Sequence, residues 1–372
     1  MTHPWIAARM ANFDSSGIRK VFDLAASMKD PINLSIGQPD FDVPDEIKES
    51  AIAAIRSGKN GYAMTQGMPV LREKLQAQVD AQYKHADRRV LITSGTSGGL
   101  VLALMALVNP GDEVIVFDPY FVVYEPLVAV VGGRPVLVDT YPDFRIDMDR
   151  VRAAITPRTK AILFNSPANP TGVVAGADET RELAKLAHDR NILLVSDEIY
   201  REFCYDGPFH SPAHDNPHTL VVDGFSKSYA MTGWRLGFVH GPAEIVNELT
   251  KLQQYTFVCA PQPFQWAGAA ALDVDMSPYI STYRAKRDKM VQGLAGHYEV
   301  VRPGGAFYVF PRVPKGAGTA TEFVQRAVER GLLIIPGHVF SRHDTHFRIS
   351  YAADDRTIER GIEVLQAIAG ER

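Results

Sequence analysis

The segment TLVVDGFSKSYAMTGWRLGFVHG, residues 219–241, joins an apolar run to two cationic side chains. Residues 219–222 have the continuous apolar composition of a buried parallel strand, and Gly224 interrupts it. Lys227 therefore follows the carboxyl end of a strand, where open α/β sheets build their binding sites. A lysine that is desolvated enough there to lose its proton can act as a Schiff-base nucleophile. The alternative is a solvated loop lysine, so the rest of the chain must distinguish the two.

Short β-branched runs alternate with helical patterns between residues 89 and 241. The predicted strands are RVLIT (89–93), EVIVF (113–117), RPVLV (134–138), KAILF (160–164), ILLVS (192–196), TLVV (219–222) and RLGFVH (235–240). A connecting helix is predicted over residues 178–190, where Leu183, Leu186 and Ala187 share one face. This alternation is typical of βαβ units and predicts an α/β fold with a mostly parallel central sheet.

The two ends of the chain are organised differently. Pro44, followed by Asp45 and Glu46, indicates the start of a helix that Gly58 ends. Later in the chain the predicted elements are two short antiparallel strands in EVVRPGGAFYVFPRV (299–313), a helix (319–331), the strand HFRISYA (346–352) and a terminal helix from Asp354.

The length of 372 residues predicts either two domains or one large domain with a satellite. The expected boundaries are 46–284 for a large domain, and 1–45 with 285–372 for a smaller α+β domain. We expect a ligand in the cleft between them.

The composition argues against several classes of partner. Lys and Arg total 39 against 43 Asp and Glu, and there is no basic cluster, so nucleic acid is not expected. The sequence has neither a signal-peptide pattern nor a run of about 18 apolar residues, so we expect a cytoplasmic protein without a membrane span. Its two cysteines, Cys204 and Cys259, form no disulfide framework or CxxC motif, which fits a reducing compartment.

An anion site is predicted in LITSGTSGGLVLALMAL (91–107), which passes from a strand to a helix through Gly95, Thr96 and Ser97. Free backbone N–H groups and two hydroxyls meet at the predicted helix N-terminus, which attracts anions. The pattern is neither GxGxxG nor a Walker loop, which argues against dinucleotides and ATP. Arg235 adds a guanidinium group suited to bidentate contact with a phosphate.

The segment GFSKSYAMTGWRLG (224–237) resembles the lysine segment of the class I/II, fold-type I aminotransferases, which use pyridoxal 5'-phosphate (PLP). Other segments resemble that family's blocks in the same order: INLSIGQPDFDVP (32–44), YAMTQGMPVLRE (62–73), GDEVIVFDPYFVVYEP (111–126), NSPANPTG (165–172), VSDEIY (195–200), GAFYVFPR (305–312) and FRISYA (347–352). The resemblance covers about residues 15 to 365 and points to the bacterial and archaeal aspartate or aromatic branch. It implies a homodimeric enzyme that moves the amino group of an L-α-amino acid to a 2-oxo acid such as 2-oxoglutarate.

The resemblance also implies roles around the cofactor ring. Lys227 would bind the PLP aldehyde and act as general base, and Asp197 would pair with the ring nitrogen. Tyr200 and Asn169 would donate to the ring 3-oxygen, and Phe121, or the tyrosine before it, would stack on the ring. Taken singly, such an aspartate is also typical of a helix cap, such a tyrosine of packing, and asparagine before proline of a turn.

The implied phosphate site combines residues 95–97 with Arg235. The chain departs from many relatives in one position, because Gly224 stands where they carry a serine, three residues before the lysine. Ser226 is then the nearest hydroxyl.

Substrate-binding residues are implied in the same way. Arg348 alternates with apolar neighbours in its predicted strand and matches the family's arginine for the α-carboxylate, with Gly37 close by. Tyr62 matches the tyrosine that reaches the neighbouring subunit's cofactor phosphate. Aspartate specificity would need another cation, and the sequence leaves open whether Arg19, Lys20 or another basic residue supplies it.

Other functions remain to be distinguished. A PLP-dependent β-lyase or synthase would use the same groups, whereas a nonenzymatic PLP-fold regulator is disfavoured because no DNA-binding segment is appended. His343, Asp344 and His346 lack the spacing and support of a zinc site, so no metal is expected.

Overall fold

The computed structural model describes residues 3–13, 17, 21, 26, 28–85 and 87–370. Its strands are β1 (Ile32–Asn33), β2 (Arg88–Thr93), β3 (Glu113–Asp118), β4 (Arg134–Asp139), β5 (Thr159–Asn165), β6 (Leu193–Asp197), β7 (Leu220–Gly224), β8 (Gly237–Pro242), β9 (Tyr308–Val309), β10 (Leu332–Leu333), β11 (Ile335–Pro336) and β12 (Phe347–Ser350). Its α-helices are α1 (Asp45–Arg56), α2 (Pro69–Gln82), α3 (Gly95–Leu107), α4 (Tyr124–Val130), α5 (Met148–Ala154), α6 (Ala177–Asp189), α7 (Ala243–Gln254), α8 (Gln262–Ala271), α9 (Ser277–Leu294), α10 (Ala320–Glu329) and α11 (Asp355–Gly370).

A seven-stranded sheet forms the centre of the molecule, in the order β2-β8-β7-β6-β5-β3-β4. Within this sheet β8 runs antiparallel to both of its neighbours, and the other pairs are parallel. The seven strands predicted between residues 89 and 241 are all present, so the predicted mostly parallel sheet is confirmed. The parallel order brings the carboxyl ends of β5, β6 and β7 to one edge of the sheet.

Helices cover both faces of this sheet, because its strands are apolar on both sides. Leu104 of α3 belongs to the core on one face, and Leu183 and Ala187 of α6 belong to the core on the other. Helix α6 lies where a helix was predicted, but Leu186 is only partly buried.

The helix starts and ends were also largely predictable. Pro44 caps α1 rather than occupying its first turn, and Gly58, with a φ of 81°, follows its last turn. Asp354 precedes α11 and accepts a hydrogen bond from the backbone N–H of Thr357 at 2.9 Å. None of the helices within the described ranges has both the length and the apolar character needed to cross a bilayer.

The last part of the chain packs with residues near its beginning. Strand β1 pairs in parallel with β10, and β11, β12 and β9 form an antiparallel sheet. Of the two antiparallel strands predicted within residues 299–313, one forms as β9, but the other does not, and β9 pairs with β12 instead. Pro303 cannot donate a strand hydrogen bond, and the glycine after it weakens a strand. One backbone hydrogen bond, from the N–H of Arg312 to the carbonyl of Glu299 at 3.0 Å, joins the two ends of this segment.

Candidate active site

A cavity of about 460 Å³ lies at the carboxyl edge of the central sheet, beside β5, β6 and β7. It brings together residues that are far apart in the sequence, and most of the predicted site residues line it. These are Gly37, Thr96, Ser97, Phe121, Asn169, Asp197, Tyr200, Lys227, Arg235 and Arg348. Two predicted residues, Gly95 and Tyr62, are not among those that line it.

Lys227 lies three residues beyond the end of β7. Its Nζ donates a hydrogen bond to the backbone carbonyl of Gly37 at 2.5 Å. Burial lowers the pKa of Lys227 to about 8, and the positive charges of Arg348 and Arg235 act in the same direction. The carboxylate of Asp197 opposes them. A substantial fraction of this amine is therefore neutral near pH 8, unlike that of a solvated lysine.

Asp197 is the last residue of β6 and is buried. Its Oδ2 accepts a hydrogen bond from the hydroxyl of Tyr124 at 2.8 Å, and its Oδ1 accepts one from the backbone N–H of Ile199 at 3.3 Å. Burial raises the pKa of Asp197 to about 6. A turn follows this aspartate, so it does not cap a helix. Tyr124 did not appear among the predicted residues, although it lies in one of the segments that carry the resemblance.

Arg348 lies in β12, the middle strand of the antiparallel sheet, with only 1% of its surface exposed. Its two terminal nitrogens donate to the side-chain oxygen of Asn169 at 3.0 Å and to the carbonyl of Ser35 at 2.7 Å. Its guanidinium carbon lies 4.6 Å from the ring centres of both Tyr308 and Phe340. Two aromatic faces and two hydrogen bonds thus hold this cation in place, and the solvated edge-strand arginine is ruled out.

The N-terminus of α3 and Arg235 form a cationic corner of the cavity. Gly95 has a φ of 72°, and a Cβ added to it would lie 2.6 Å from Nη2 of Arg235. Glycine therefore allows the guanidinium group to approach the first turn of the helix. The hydroxyl oxygen of Thr96 is buried and has no hydrogen-bond partner in the described part of the chain. An unpaired buried hydroxyl at a helix N-terminus suits an anionic ligand.

Gly224, the position at which the chain departs from the expected family pattern, faces the same corner. A Cβ on this residue would lie 3.0 Å from the Thr96 hydroxyl oxygen and 3.0 Å from the Cα of Gly237 on β8. The close approach of β7 and β8 therefore leaves little room for a side chain here. Ser226 is buried and lines the cavity.

Phe121 and Tyr120, the two alternatives for an aromatic contact with the cofactor ring, differ in position. Phe121 lines the cavity, whereas the hydroxyl of Tyr120 points away and donates to the carboxylate of Glu125. Tyr200 and Tyr308 also line the cavity, and their hydroxyl oxygens are 2.7 Å apart. Sequence reasoning missed Tyr308, although GAFYVFPR contains it.

Other candidates either do not line this cavity or lie outside the described residues. Tyr62 is 87% exposed, and Arg19 and Lys20 are outside the described residues. His346 stacks on the ring of Phe310. Over the described ranges, no group of three or more His, Cys, Asp or Glu side chains could hold a metal ion.

Known proteins match the chain over nearly its whole length. The family model for aminotransferase class I and II matches residues 29–365. A probable aspartate aminotransferase of Methanocaldococcus jannaschii is 36% identical over 98% of this chain and 99% of its own length. The aspartate/prephenate aminotransferase of Thermus thermophilus is 37% identical over 94% of each. A solved structure of the Thermus thermophilus aspartate aminotransferase with maleate superposes with a TM-score of 0.93, at 35% identity, over 99% of this chain and 100% of that one.

Proposed function

Because the chain belongs to the class I and II aminotransferases, which move amino groups between amino acids and 2-oxo acids, we propose that it binds PLP in the cavity around Lys227. The family is generally PLP-dependent. The observation that carries the proposal is the pairing, in one cavity, of an amine whose pKa is lowered to about 8 with the buried carboxylate of Asp197.

The residues around the cavity fit the parts of PLP. The backbone N–H groups that begin α3, the unpaired hydroxyl of Thr96, and Arg235 would bind the phosphate. Asp197 would bind the ring nitrogen, and its negative charge would keep that nitrogen protonated. Phe121 would cover one face of the ring. Tyr200 and Asn169, the remaining polar groups of the predicted set, would donate to the 3-oxygen.

Bound PLP supplies an electron sink for negative charge at the substrate α-carbon. Lys227 would hold the cofactor aldehyde covalently, and its amine, once free, would take the α-proton and return it. A neutral amine is required for that step, and a pKa near 8 provides it at moderate pH. Arg348 would bind the α-carboxylate of every substrate through its fixed guanidinium fork.

The proposed donors are aspartate, aromatic amino acids or a broad set, and the proposed acceptor is a 2-oxo acid such as 2-oxoglutarate. Relatives named for aspartate, for prephenate and for aromatic amino acids support this range. We place the enzyme in the cytoplasm, as a homodimer with shared sites. We also propose a large domain over 46–284 and a small one formed by 1–45 and 285–372, because Gly37 and Arg348 from the chain's two end regions meet Lys227 in one cavity.

A panel of amino donors tests the reaction and the substrate together. Each donor is incubated with the purified PLP-loaded protein, with and without 2-oxoglutarate, and the formation of glutamate and of the new 2-oxo acid is measured. We expect glutamate, and more than one equivalent of 2-oxo acid per site, only when the acceptor is present, because without it the amino group stays on the cofactor after a single turnover. Continued formation of 2-oxo acid beyond one equivalent per site without acceptor would instead identify a lyase.

Lys227→Ala should abolish transamination while leaving some PLP bound through the phosphate site. Lys185→Ala is the matched control, because Lys185 is exposed and pairs with nearby Asp189 on α6. The control should keep wild-type turnover. Near-normal turnover of the Lys227→Ala variant would contradict the central assignment.

A further inference from the structure

Tyr308 contacts three groups of the proposed site but has no role in the function proposed above. It lies in β9, where it pairs with Ser350 of β12, and it is 1% exposed. Its hydroxyl oxygen is 2.7 Å from that of Tyr200. The centre of its ring lies 4.6 Å from the guanidinium carbon of Arg348. A Cβ on Gly37 would lie 2.5 Å from the same hydroxyl, so glycine makes room for it.

The surroundings of Tyr308 fix both its ring and its hydroxyl. Its ring packs edge-on against Tyr200, with centres 5.6 Å apart, and Phe307 packs against both tyrosines. The backbone of β9 is held by the antiparallel pairing with β12, which also carries Arg348. One short sheet thus sets the distance between the Tyr308 hydroxyl and the guanidinium group.

We propose that Tyr308 is a positioning residue that hydrogen-bonds Tyr200 so that the Tyr200 hydroxyl is directed at the ring 3-oxygen of PLP. This inference rests on the proposed function. A phenol has one proton to donate. If Tyr200 donates its proton into the cavity, then in the 2.7 Å contact Tyr308 must be the donor and Tyr200 the acceptor.

A chain of two hydroxyls is a stronger donor than one. A hydroxyl that accepts a hydrogen bond is polarised and donates more strongly, typically by about 10–30% per bond. Burial raises the pKa of Tyr308, and the positive charge of Arg348 opposes that rise. The same residue therefore links the group proposed for the substrate carboxylate to the group proposed for the cofactor ring.

A double-mutant cycle of Tyr308→Phe and Tyr200→Phe tests this role. The measurement is the pH midpoint of the visible absorbance change of the PLP-loaded protein, which does not depend on turnover. A hydrogen bond to the 3-oxygen favours its negatively charged form, so losing it should raise the midpoint. We expect Tyr200→Phe to raise it most and Tyr308→Phe to raise it by about half a pH unit, as partial loss of one bond implies. In the Tyr200→Phe background, Tyr308→Phe should add nothing.

Phe340→Leu is the matched control. It removes the other ring that faces Arg348 and leaves the hydroxyl pair in place. This variant should raise the KM of amino and oxo acids without moving the midpoint. Tyr308→Phe keeps its ring on Arg348, so it should lower kcat more than it raises KM. Tyr308→Phe retains the buried ring, and unchanged circular dichroism should accompany these effects.

Two outcomes would overturn the inference alone. The first is that Tyr308→Phe leaves the pH midpoint unchanged although Tyr200→Phe shifts it. The second is that Tyr308→Phe shifts the midpoint equally in the wild-type protein and in the Tyr200→Phe variant. A wild-type protein that binds no PLP would contradict the proposed function, and the inference with it.

Discussion

At the scale of single residues, the site places an acid where the fold disfavours its charge. Asp197 is buried, and its pKa is raised from 3.8 to about 6. The carboxylate therefore costs stability whenever it is ionised in the folded protein without a ligand. A buried aspartate at the end of β6 has a physical reason if its negative charge binds a cationic group of a ligand in the cavity.

Asp197→Asn should move activity and stability in opposite directions. We expect kcat to fall by about two orders of magnitude, the usual effect of losing an electrostatic contact on the order of 3 kcal/mol. The PLP-free variant should nevertheless unfold at a higher temperature than the PLP-free wild type at pH 8. The rise in pKa corresponds to on the order of 3 kcal/mol of unfolding free energy.

The pH dependence supplies the control for this prediction. The stability difference should be present above pH 6, shrink as the pH falls and vanish below about 4, where the wild-type carboxyl is protonated in both the folded and unfolded states. Thermal melts of both proteins across this range measure it. A variant with unchanged kcat would exclude a role at the ring nitrogen.

Sequence reasoning succeeded at residues whose position follows from a strand end. Asp197 ends the apolar strand β6, and Lys227 follows the apolar strand β7. Because both strands end at the same edge of the sheet, it could be predicted that the two side chains lie close together. Tyr124 and Tyr308 were missed, because their partners lie 73 and 108 residues away in the chain. Such contacts depend on tertiary packing rather than on any local pattern.

At the scale of elements, the proposed anion site depends on how closely β8 approaches the start of α3. A Cβ on Gly237 would lie 2.6 Å from the backbone carbon of Gly95 and 2.7 Å from the backbone nitrogen of Thr96. Backbone atoms cannot move aside as a flexible side chain can. The first turn of the helix is therefore positioned by a strand rather than by its own cap.

Gly237→Ala should displace this turn and weaken PLP binding about tenfold or more, since overpacking typically costs about 1–3 kcal/mol. Gly233→Ala is the matched control, because nothing lies within 4 Å of the added Cβ. The affinities of both PLP-free variants for PLP and for inorganic phosphate are measured by titration. Equal affinities in the two variants would show that the β8 contact does not set the site.

Strand patterns predicted the central sheet well because parallel strands are apolar on both faces. The same reasoning failed in part over residues 299–313, where two short antiparallel strands were predicted and only β9 forms. Val309 instead pairs with Ile349. Whether a short segment at the edge of a sheet forms a strand depends on the strand with which it pairs. When that partner is distant in the chain, the local sequence does not indicate the pairing.

At the scale of the whole molecule, the 87% exposure of Tyr62 bears on assembly. Tyr62 lies outside its own chain's cavity, yet the family resemblance links it to a cofactor phosphate. Under two-fold symmetry, each site would combine Lys227 of one chain with Tyr62 of the other.

Complementation tests that arrangement. Lys227→Ala chains are mixed with Tyr62→Asp chains under conditions that exchange subunits, and transamination is measured. Each mixed dimer should contain one doubly mutant site and one wild-type site. With random reassociation about a quarter of all sites should be restored.

The control pair is Lys227→Ala with Asp197→Asn, which should not complement, because both residues line the cavity of a single chain. No gain over either parent in the Tyr62 mixture, with mixed dimers demonstrated by size and affinity tags, would place Tyr62 outside the shared site.

The pairing of β1 with β10 has a consequence for how the protein is made. Ile32 leaves the ribosome before the strands of the central sheet do, and it cannot meet its partner, Leu332, until that whole sheet has been synthesised. Arg348 emerges later still. The central sheet is thus translated before the cavity is complete, and a nascent chain carries Lys227 in an unfinished site. Assembly of the cavity can therefore finish only after the central sheet has been translated, and chains released before residue 348 should lack the arginine proposed to bind the substrate carboxylate.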